Sequence, residues 1–223
     1  LGRYGVIDFV LSNFSNSRID KVGILVKEKP RSLLKHIGSG NAWNFNSKRG
    51  GISLLYDEKY ANSNMYNHDI NNMLENIAFL EKSTEDYVVI SPAHIITTMD
   101  FSDVVEAHEK SGCDVTVVYK KIKNANEAFI GSDFLKIKDK QVVDFELNKG
   151  NRKDRSISLE TYVINRKALI KMLYKAQKVS VFYDLRDKIY ADFNYLYTDE
   201  LGCIEFSGRY PDNLQEEINN YSI

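Results

Sequence analysis

Three short runs of apolar residues constrain the fold of this chain more than any other feature of its sequence. The runs lie at 22–26, 87–90 and 115–119. Each is rich in valine and does not alternate with polar residues, which is typical of strands in a parallel sheet buried on both faces. Helical patterns of apolar residues separate and follow the strands, at 30–37, 67–81 and 103–110. This alternation predicts an α/β fold with a mainly parallel sheet and helices on both faces.

The second half of the sequence is richer in strand patterns. Residues 134–137 and 141–145 flank the polar tripeptide Lys138-Asp139-Lys140, which predicts a β-hairpin. A further strand is expected at 159–164 and a helix at 167–176. Because no linker or low-complexity segment interrupts the chain, we expect a single domain over residues 1–223.

Composition excludes several classes of protein. The 223 residues carry 30 Lys and Arg against 31 Asp and Glu, a net charge of -1, whereas nucleic-acid binders usually show a basic surplus. No apolar run approaches the ~18 residues that a membrane span needs, so we expect no membrane partner. Cys113 and Cys203 are far from any metal-binding or disulfide spacing, which favours the cytoplasm.

Taken alone, the polar residues indicate no particular reaction. His94 follows the 87–90 strand at its carboxyl end, where α/β proteins bind ligands, but no partner for a catalytic base is evident beside it. Asp100 precedes a predicted helix and is expected to cap it. Asp184 and Asp187 could hold magnesium or be solvated surface residues, and the sequence leaves both alternatives open.

Several segments together resemble the bacterial glucose-1-phosphate adenylyltransferases (ADP-glucose pyrophosphorylases). The stretch R-Y-G-V-I-D-F-V-L-S-N at 3–13, followed by Asn16 and Ser17, is similar to F-R-I-I-D-F-x-L-S-N-x-x-N-S. Residues 32–37, S-L-L-K-H-I, are similar to S-L-x-R-H-I. Residues 87–101 are similar to V-V-I-L-x-G-D-H-x-Y-x-M-D-Y, and the resemblance extends with gaps to about Ile164.

The resemblance implies a Rossmann-like nucleotide-diphospho-sugar transferase domain. Such enzymes join ATP to glucose 1-phosphate and release pyrophosphate, with Mg²⁺ held by aspartates and with Lys or Arg on the phosphates. The resemblance also implies that the domain is incomplete at its N-terminus, and that the C-terminal β-helix domain of the family is absent from this chain.

At three positions this chain departs from the motifs of the family. Where the family has G-D-H, the aspartate that would hold magnesium is replaced by Ala93. Where it has F-x-E-K-P, Leu147 replaces the sugar-binding glutamate and Asn148 replaces the phosphate-binding lysine. An alignment shifted by one residue would instead use Lys149. These departures imply that Mg²⁺, the cofactor of the family, binds poorly here.

Other positions remain candidates for a substrate pocket by the same resemblance. They are His94, Glu146, Lys149 and Ser158. Ser158 and Tyr162 align with S-M-G-I-Y-V-F. Asp184 is the aspartate retained from H-D-F-G-K-D and is a weak candidate for a metal ligand.

The pattern of losses resembles the second, glycogen-biosynthesis type of subunit that accompanies the active one in some Gram-positive bacteria. We therefore expect a regulatory, non-catalytic subunit that assembles with the catalytic subunit into mixed tetramers and can still bind a sugar phosphate or nucleotide. One alternative is an active nucleotidyltransferase that recruits His94, Asp100, Lys149 and Asp184. Another is an unrelated domain that binds a sugar phosphate.

Overall fold

Strands and helices alternate through the first half of the chain. The computed structural model describes residues 5–26, 30–45, 50–56, 69–178 and 204–205. The helices are α1 (Ile7–Asn16), α2 (Pro30–Ile37), α3 (Asp69–Glu75), α4 (Ala78–Glu81), α5 (Phe101–Ser111) and α6 (Arg166–Lys178), with a short 3-10 helix at Asn41–Trp43. The strands are β1 (Lys21–Leu25), β2 (Gly51–Leu55), β3 (Tyr87–Ile90), β4 (Val115–Ile122), β5 (Asp133–Lys138), β6 (Gln141–Leu147), β7 (Arg155–Asn165) and β8 (Ile204–Glu205).

Most of the elements predicted from the sequence are confirmed. The three apolar runs form β1, β3 and β4, and the helices predicted near 30–37, 103–110 and 167–176 are α2, α5 and α6. The single helix predicted over 67–81 is wrong, because its described part forms two helices, α3 and α4. The side chain of Asn76 donates to the Asn72 carbonyl at 2.9 Å, and the Ile77 amide bonds to the Leu74 carbonyl three residues back, which tightens the chain between them.

The chain divides into two compact units. The first draws its described residues from Leu1–Ser17, Val89–Ile164 and Tyr197–Ile223, and the second from Arg18–Val88 and Asn165–Leu196. The single domain expected from the sequence stays a prediction.

In the first unit, the described strands form one sheet in the order β6-β5-β7-β4-β8, and β3 also pairs with β7. β4 runs antiparallel to β7 and parallel to β8, while β5 runs antiparallel to both β6 and β7. The predicted α/β class is confirmed, but these pairings are mixed rather than mainly parallel. The apolar run of β4 is buried on both faces, with Val117 and Val118 almost inaccessible. Such a run therefore predicts burial but does not determine the direction of the neighbouring strand.

The hairpin predicted around Lys138-Asp139-Lys140 is confirmed as the β5–β6 connection. β5 ends at Lys138 and β6 begins at Gln141, and the connecting residues Asp139 and Lys140 have φ of 51° and 63°. Positive φ at both central residues is the requirement of the type I′ turn, whose twist matches that of the two strands.

The second unit contains a parallel pair of strands, β1 and β2. Helix α3 contacts β1, and both α3 and α4 contact α6. Gly23 of β1 packs closely, because a Cβ there would lie 2.6 Å from Cδ1 of Leu55 and would have to displace that side chain. The Arg166 guanidinium donates to the Leu80 carbonyl at 3.3 Å, which fixes the start of α6.

Among the described residues, no helix is both long and apolar enough to cross a membrane.

Helix α5 carries the cap expected from the sequence. The carboxylate of Asp100 accepts a hydrogen bond from the Ser102 amide at 2.9 Å, and Gly112 ends the helix with a φ of 67°. On the buried face of α5, His108 is 1% exposed and its Nδ1 lies 2.7 Å from the hydroxyl of Thr116 on β4. Burial lowers the pKa of His108 below its usual value of 6.5, and the carboxylate of Asp114 opposes part of this shift.

This lowered pKa predicts acid sensitivity. The unfolded chain binds a proton at His108 as the pH falls through about 6.5, whereas the folded protein binds it only at a lower pH. The free energy of unfolding should therefore fall in that window, by at most about 1.4 kcal/mol per pH unit for one proton. Urea unfolding between pH 7.5 and 5 measures the slope, which should be shallower in His108→Gln. Equal slopes in the two proteins would contradict the prediction.

Candidate functional site at the carboxyl end of β3

The connection between β3 and α5 contains the first candidate residues. β3 ends at Ile90, and Ala93 and His94 lie in a turn shortly after it, both exposed. In α/β proteins, ligands bind beyond the carboxyl ends of strands, so the position agrees with the role expected for this segment.

Helix α1 holds this connection in place. The side-chain amide of Asn13 donates to the Thr97 carbonyl at 2.8 Å, and the hydroxyl of Ser17 accepts from the Phe101 amide at 2.7 Å. Both polar side chains are buried, and the Phe14 and Phe101 rings pack with their centroids 5.1 Å apart. Asn13 and Ser17 therefore position the loop that carries His94.

Strand β7 faces this loop with an irregularity. Val118 of β4 pairs with Thr161, but the next residue, Tyr119, pairs with Ser158, so that Leu159 and Glu160 form a bulge. Glu160 has a φ of 51°, in the left-handed region. For a residue with a Cβ this conformation costs about 1–2 kcal/mol. The Ser158 hydroxyl supports it by accepting from the Glu160 amide at 3.2 Å.

The bulge and the loop after β3 meet through polar side chains. A Glu160 carboxylate oxygen lies 3.9 Å from Nε2 of His94, and the hydroxyls of Ser91 and Thr161 are 3.4 Å apart. The His94 side chain is 71% exposed and that of Glu160 33%, so the pair is open to solvent. We call Ser91, His94, Ser158, Glu160 and Thr161 the β3–β7 site.

Two other candidate residues, Glu146 and Leu147, lie on β6, at the edge of the sheet. Glu146 forms an ion pair with Lys136 across the hairpin, and Lys136 also lies 2.8 Å from the Asp144 carboxylate. The hydrogen bonds that Lys136 donates to Asp144 and Glu146 raise the pKa of Lys136, and the bond to Asp144 lowers the pKa of that carboxyl. Leu147 is half exposed.

Asn148 follows β6 and is 1% exposed. Its side-chain amide donates to three carbonyls of the 125–129 loop, those of Ala125 at 2.8 Å, Phe129 at 2.9 Å and Ala128 at 3.2 Å. Its side-chain oxygen accepts from the Gly150 amide at 3.2 Å. Asn148 therefore joins two loops, whereas its neighbour Lys149 is exposed.

Similarity to known protein families identifies the type of domain. Residues 1–180 match the model of the nucleotidyl transferase family. The chain belongs to that family. The predicted relationship to nucleotidyl transferases is thus confirmed.

Relatives of this nucleotidyl transferase domain include two clostridial glucose-1-phosphate adenylyltransferases. That of Clostridium novyi (strain NT) is 31% identical over 173 residues, which are 77% of this chain and 45% of the relative. That of Clostridium perfringens (strain SM101 / Type A) is 33% identical over 173 residues, 77% of this chain and 44% of the relative. The chain spans less than half the length of these relatives.

A solved structure supports the fold. It is described as that of a glucose-1-phosphate thymidylyltransferase from Bacillus anthracis in complex with sucrose. The similarity has a TM-score of 0.68 at 16% identity and covers 98% of this chain and 82% of the other. At this identity the match shows a shared nucleotidyltransferase fold.

The structure brings together some of the predicted site residues and places others elsewhere. His94 and Ser158 meet in the β3–β7 site through Glu160. Glu146 forms an ion pair with Lys136, and the Asn148 side chain is hydrogen bonded to the 125–129 loop. Asp184 lies outside the described residues. The assignment of these residues to a substrate pocket stays a prediction.

The described residues at this place do not fit a magnesium ion. Ala93 has no side-chain oxygen to offer, and Mg²⁺ requires carboxylate or other oxygen ligands. Within the described ranges, no group of three or more histidine, cysteine, aspartate or glutamate side chains is arranged to hold a metal ion.

Glu160 is a residue of the β3–β7 site that was not predicted from the sequence. A signal for it was present, because the motif S-M-G-I-Y-V-F, to which Ser158 and Tyr162 align, has a glycine at the position of Glu160. Glycine adopts positive φ without steric penalty, so a glutamate in its place keeps the bend and adds a carboxylate.

The contacts of Asn148 predict that it stabilises the fold. In Asn148→Ala the buried carbonyls of the 125–129 loop lose their donor, which should lower the free energy of unfolding by about 1–3 kcal/mol. The matched control is Lys149→Ala, which changes the adjacent exposed residue and should stay within about 0.5 kcal/mol. Urea unfolding of both variants measures the difference. Equal stabilities would show that these hydrogen bonds contribute nothing.

Proposed function

We propose that the protein is a regulatory, non-catalytic subunit of a glucose-1-phosphate adenylyltransferase, acting in the synthesis of ADP-glucose for glycogen. Its membership of the nucleotidyl transferase family and its similarity to clostridial glucose-1-phosphate adenylyltransferases support the reaction class. The departures from the motifs of that family support the absence of catalysis.

The observation that carries this proposal is the burial of Asn148. In the alignment to F-x-E-K-P without a shift, its position is that of the phosphate-binding lysine, whereas the alignment shifted by one residue would place Lys149 there. The Asn148 side chain is neutral, 1% exposed, and hydrogen bonded to the carbonyls of a neighbouring loop. A side chain in this arrangement neither reaches a phosphate nor neutralises its charge, and transfer of a nucleotidyl group depends on that neutralisation.

The replacement of an aspartate by Ala93 also supports the absence of catalysis. Where the motif G-D-H has an aspartate, Ala93 supplies no ligand for a metal ion. Removing a single electrostatic stabiliser from an active site typically lowers kcat by about 10²–10³. The loss of both groups should therefore leave negligible turnover.

A chain that keeps the fold of a transferase without its charged groups can still act through a partner. We propose that the partner is the catalytic subunit, in a mixed tetramer. Contacts that differ between two states of the assembly would bias the active subunit towards one of them, and a coupling of about 1–3 kcal/mol is ordinary for such effects.

Titration into the catalytic subunit tests this proposal. Full-length protein is added at increasing ratios to the catalytic subunit from the same organism, while pyrophosphate release and the sedimentation of the mixture are measured. We expect a mixed assembly and a change of about fivefold or more in rate or substrate affinity.

Two results of this titration would contradict the proposal. One is that neither the rate, the substrate affinity nor the assembly state changes at any ratio. The other is pyrophosphate release by the protein alone, in the presence of ATP, glucose 1-phosphate and magnesium, at a rate comparable with that of the catalytic subunit. This second result would favour an active nucleotidyltransferase.

Restoring a single residue should not restore catalysis. Ala93→Asp adds a carboxylate beyond β3 and should raise magnesium affinity modestly, but turnover should stay negligible because Asn148 still supplies no cation. Ala93→Asn is the matched control, since it has a similar size and no charge. Pyrophosphate release is measured for both variants, and full activity of Ala93→Asp would show that the other departures are silent.

A further inference from the structure

We propose that Glu160 is a specificity-determining residue of the β3–β7 site, where its carboxylate excludes phosphorylated sugars and favours uncharged ones. This inference deepens the proposed function and rests on it, because it concerns the ligand that the same domain can still bind.

The backbone of the bulge fixes where the Glu160 side chain begins. Its φ of 51° sets the direction of the bond from Cα to Cβ. On one side the Ser158 hydroxyl accepts a hydrogen bond from the Glu160 amide. On the other side the Thr161 hydroxyl donates a hydrogen bond to the Leu159 carbonyl at 3.0 Å. An unfavourable backbone conformation persists where its surroundings enforce it, and such conformations cluster at functional sites.

The side chain then places a negative charge at the carboxyl end of β3. The carboxylate lies 3.9 Å from His94 and is one third exposed, so a ligand entering beside His94 meets it. A phosphate monoester carries about -1.5 to -2 charges at pH 7. The five residues that define the β3–β7 site include no lysine or arginine to offset the repulsion between these two anions.

The same groups suit an uncharged sugar. A carboxylate accepts hydrogen bonds from two hydroxyls, and a serine or threonine hydroxyl both donates and accepts. Glu160, His94 and Ser91 together therefore offer partners for neighbouring hydroxyls of a sugar ring, whereas Thr161 is buried. A sugar without phosphate satisfies these groups and avoids the repulsion.

The test compares glucose with glucose 1-phosphate by isothermal titration calorimetry of the full-length protein. For the unaltered protein we expect glucose to bind more tightly. Glu160→Gln keeps the side-chain length and removes the charge, so it should strengthen glucose 1-phosphate binding about tenfold while glucose affinity changes by less than about threefold. The matched control, Glu109→Gln, removes an exposed carboxylate on α5 and should change neither affinity.

A second variant tests the role of the backbone. Glu160→Gly removes both the carboxylate and the Cβ that makes a positive φ unfavourable, so the melting temperature should not fall and glucose 1-phosphate should bind more tightly. If Glu160→Gly does not fold, Glu160→Gln still decides the question. The inference is overturned if glucose 1-phosphate binds equally to the unaltered protein and Glu160→Gln, or if glucose binds to neither.

Failure of this inference can be separated from failure of the proposed function. If the Glu160 variants behave as expected but the protein has no effect on the catalytic subunit, the regulatory role is wrong and the specificity of the site stands. If the protein alters the catalytic subunit but the Glu160 variants bind both sugars like the unaltered protein, the regulatory role stands and the specificity is wrong.

Discussion

The first unit depends on the pairing of β7. This eleven-residue strand pairs with β3, β4 and β5, so that the sheet order and the position of the loop after β3 follow from it. Its one departure from regular pairing, the bulge at Leu159 and Glu160, lies opposite β4 and beside His94. A bulge bends a strand and redirects a side chain, and here it turns a carboxylate towards the β3–β7 site.

Several polar residues in the segments that resemble the family motifs are engaged in holding the fold. Asn13 and Ser17 anchor the loop after β3, and Asn148 joins the loops on either side of β5 and β6. Because a buried amide or hydroxyl must keep its hydrogen bonds, replacing such a residue should destabilise the fold. A polar residue of such a motif can therefore serve the stability of the fold.

Local patterns predicted the elements of this fold well because their causes are local. Asp100 caps α5 and Gly112 ends it, and the hairpin turn at Asp139 and Lys140 has the left-handed geometry of its type. The predictions failed where distant contacts decide. The apolar run of β4 did not reveal that its neighbour β7 is antiparallel. Between α3 and α4, the side chain of Asn76 donates a hydrogen bond to the carbonyl of Tyr56, which lies far from it in the sequence.

The sequence by itself determined which chemical groups are present. The side chain of Ala93 can offer no oxygen and that of Asn148 no positive charge, whatever the fold around them. Only the tertiary structure decided what the remaining groups do. It buried the Asn148 amide against the 125–129 loop and brought Glu160 to His94, although the two residues are far apart in the chain. Pairing across a sheet joins such positions, and neither composition nor periodicity contains that information.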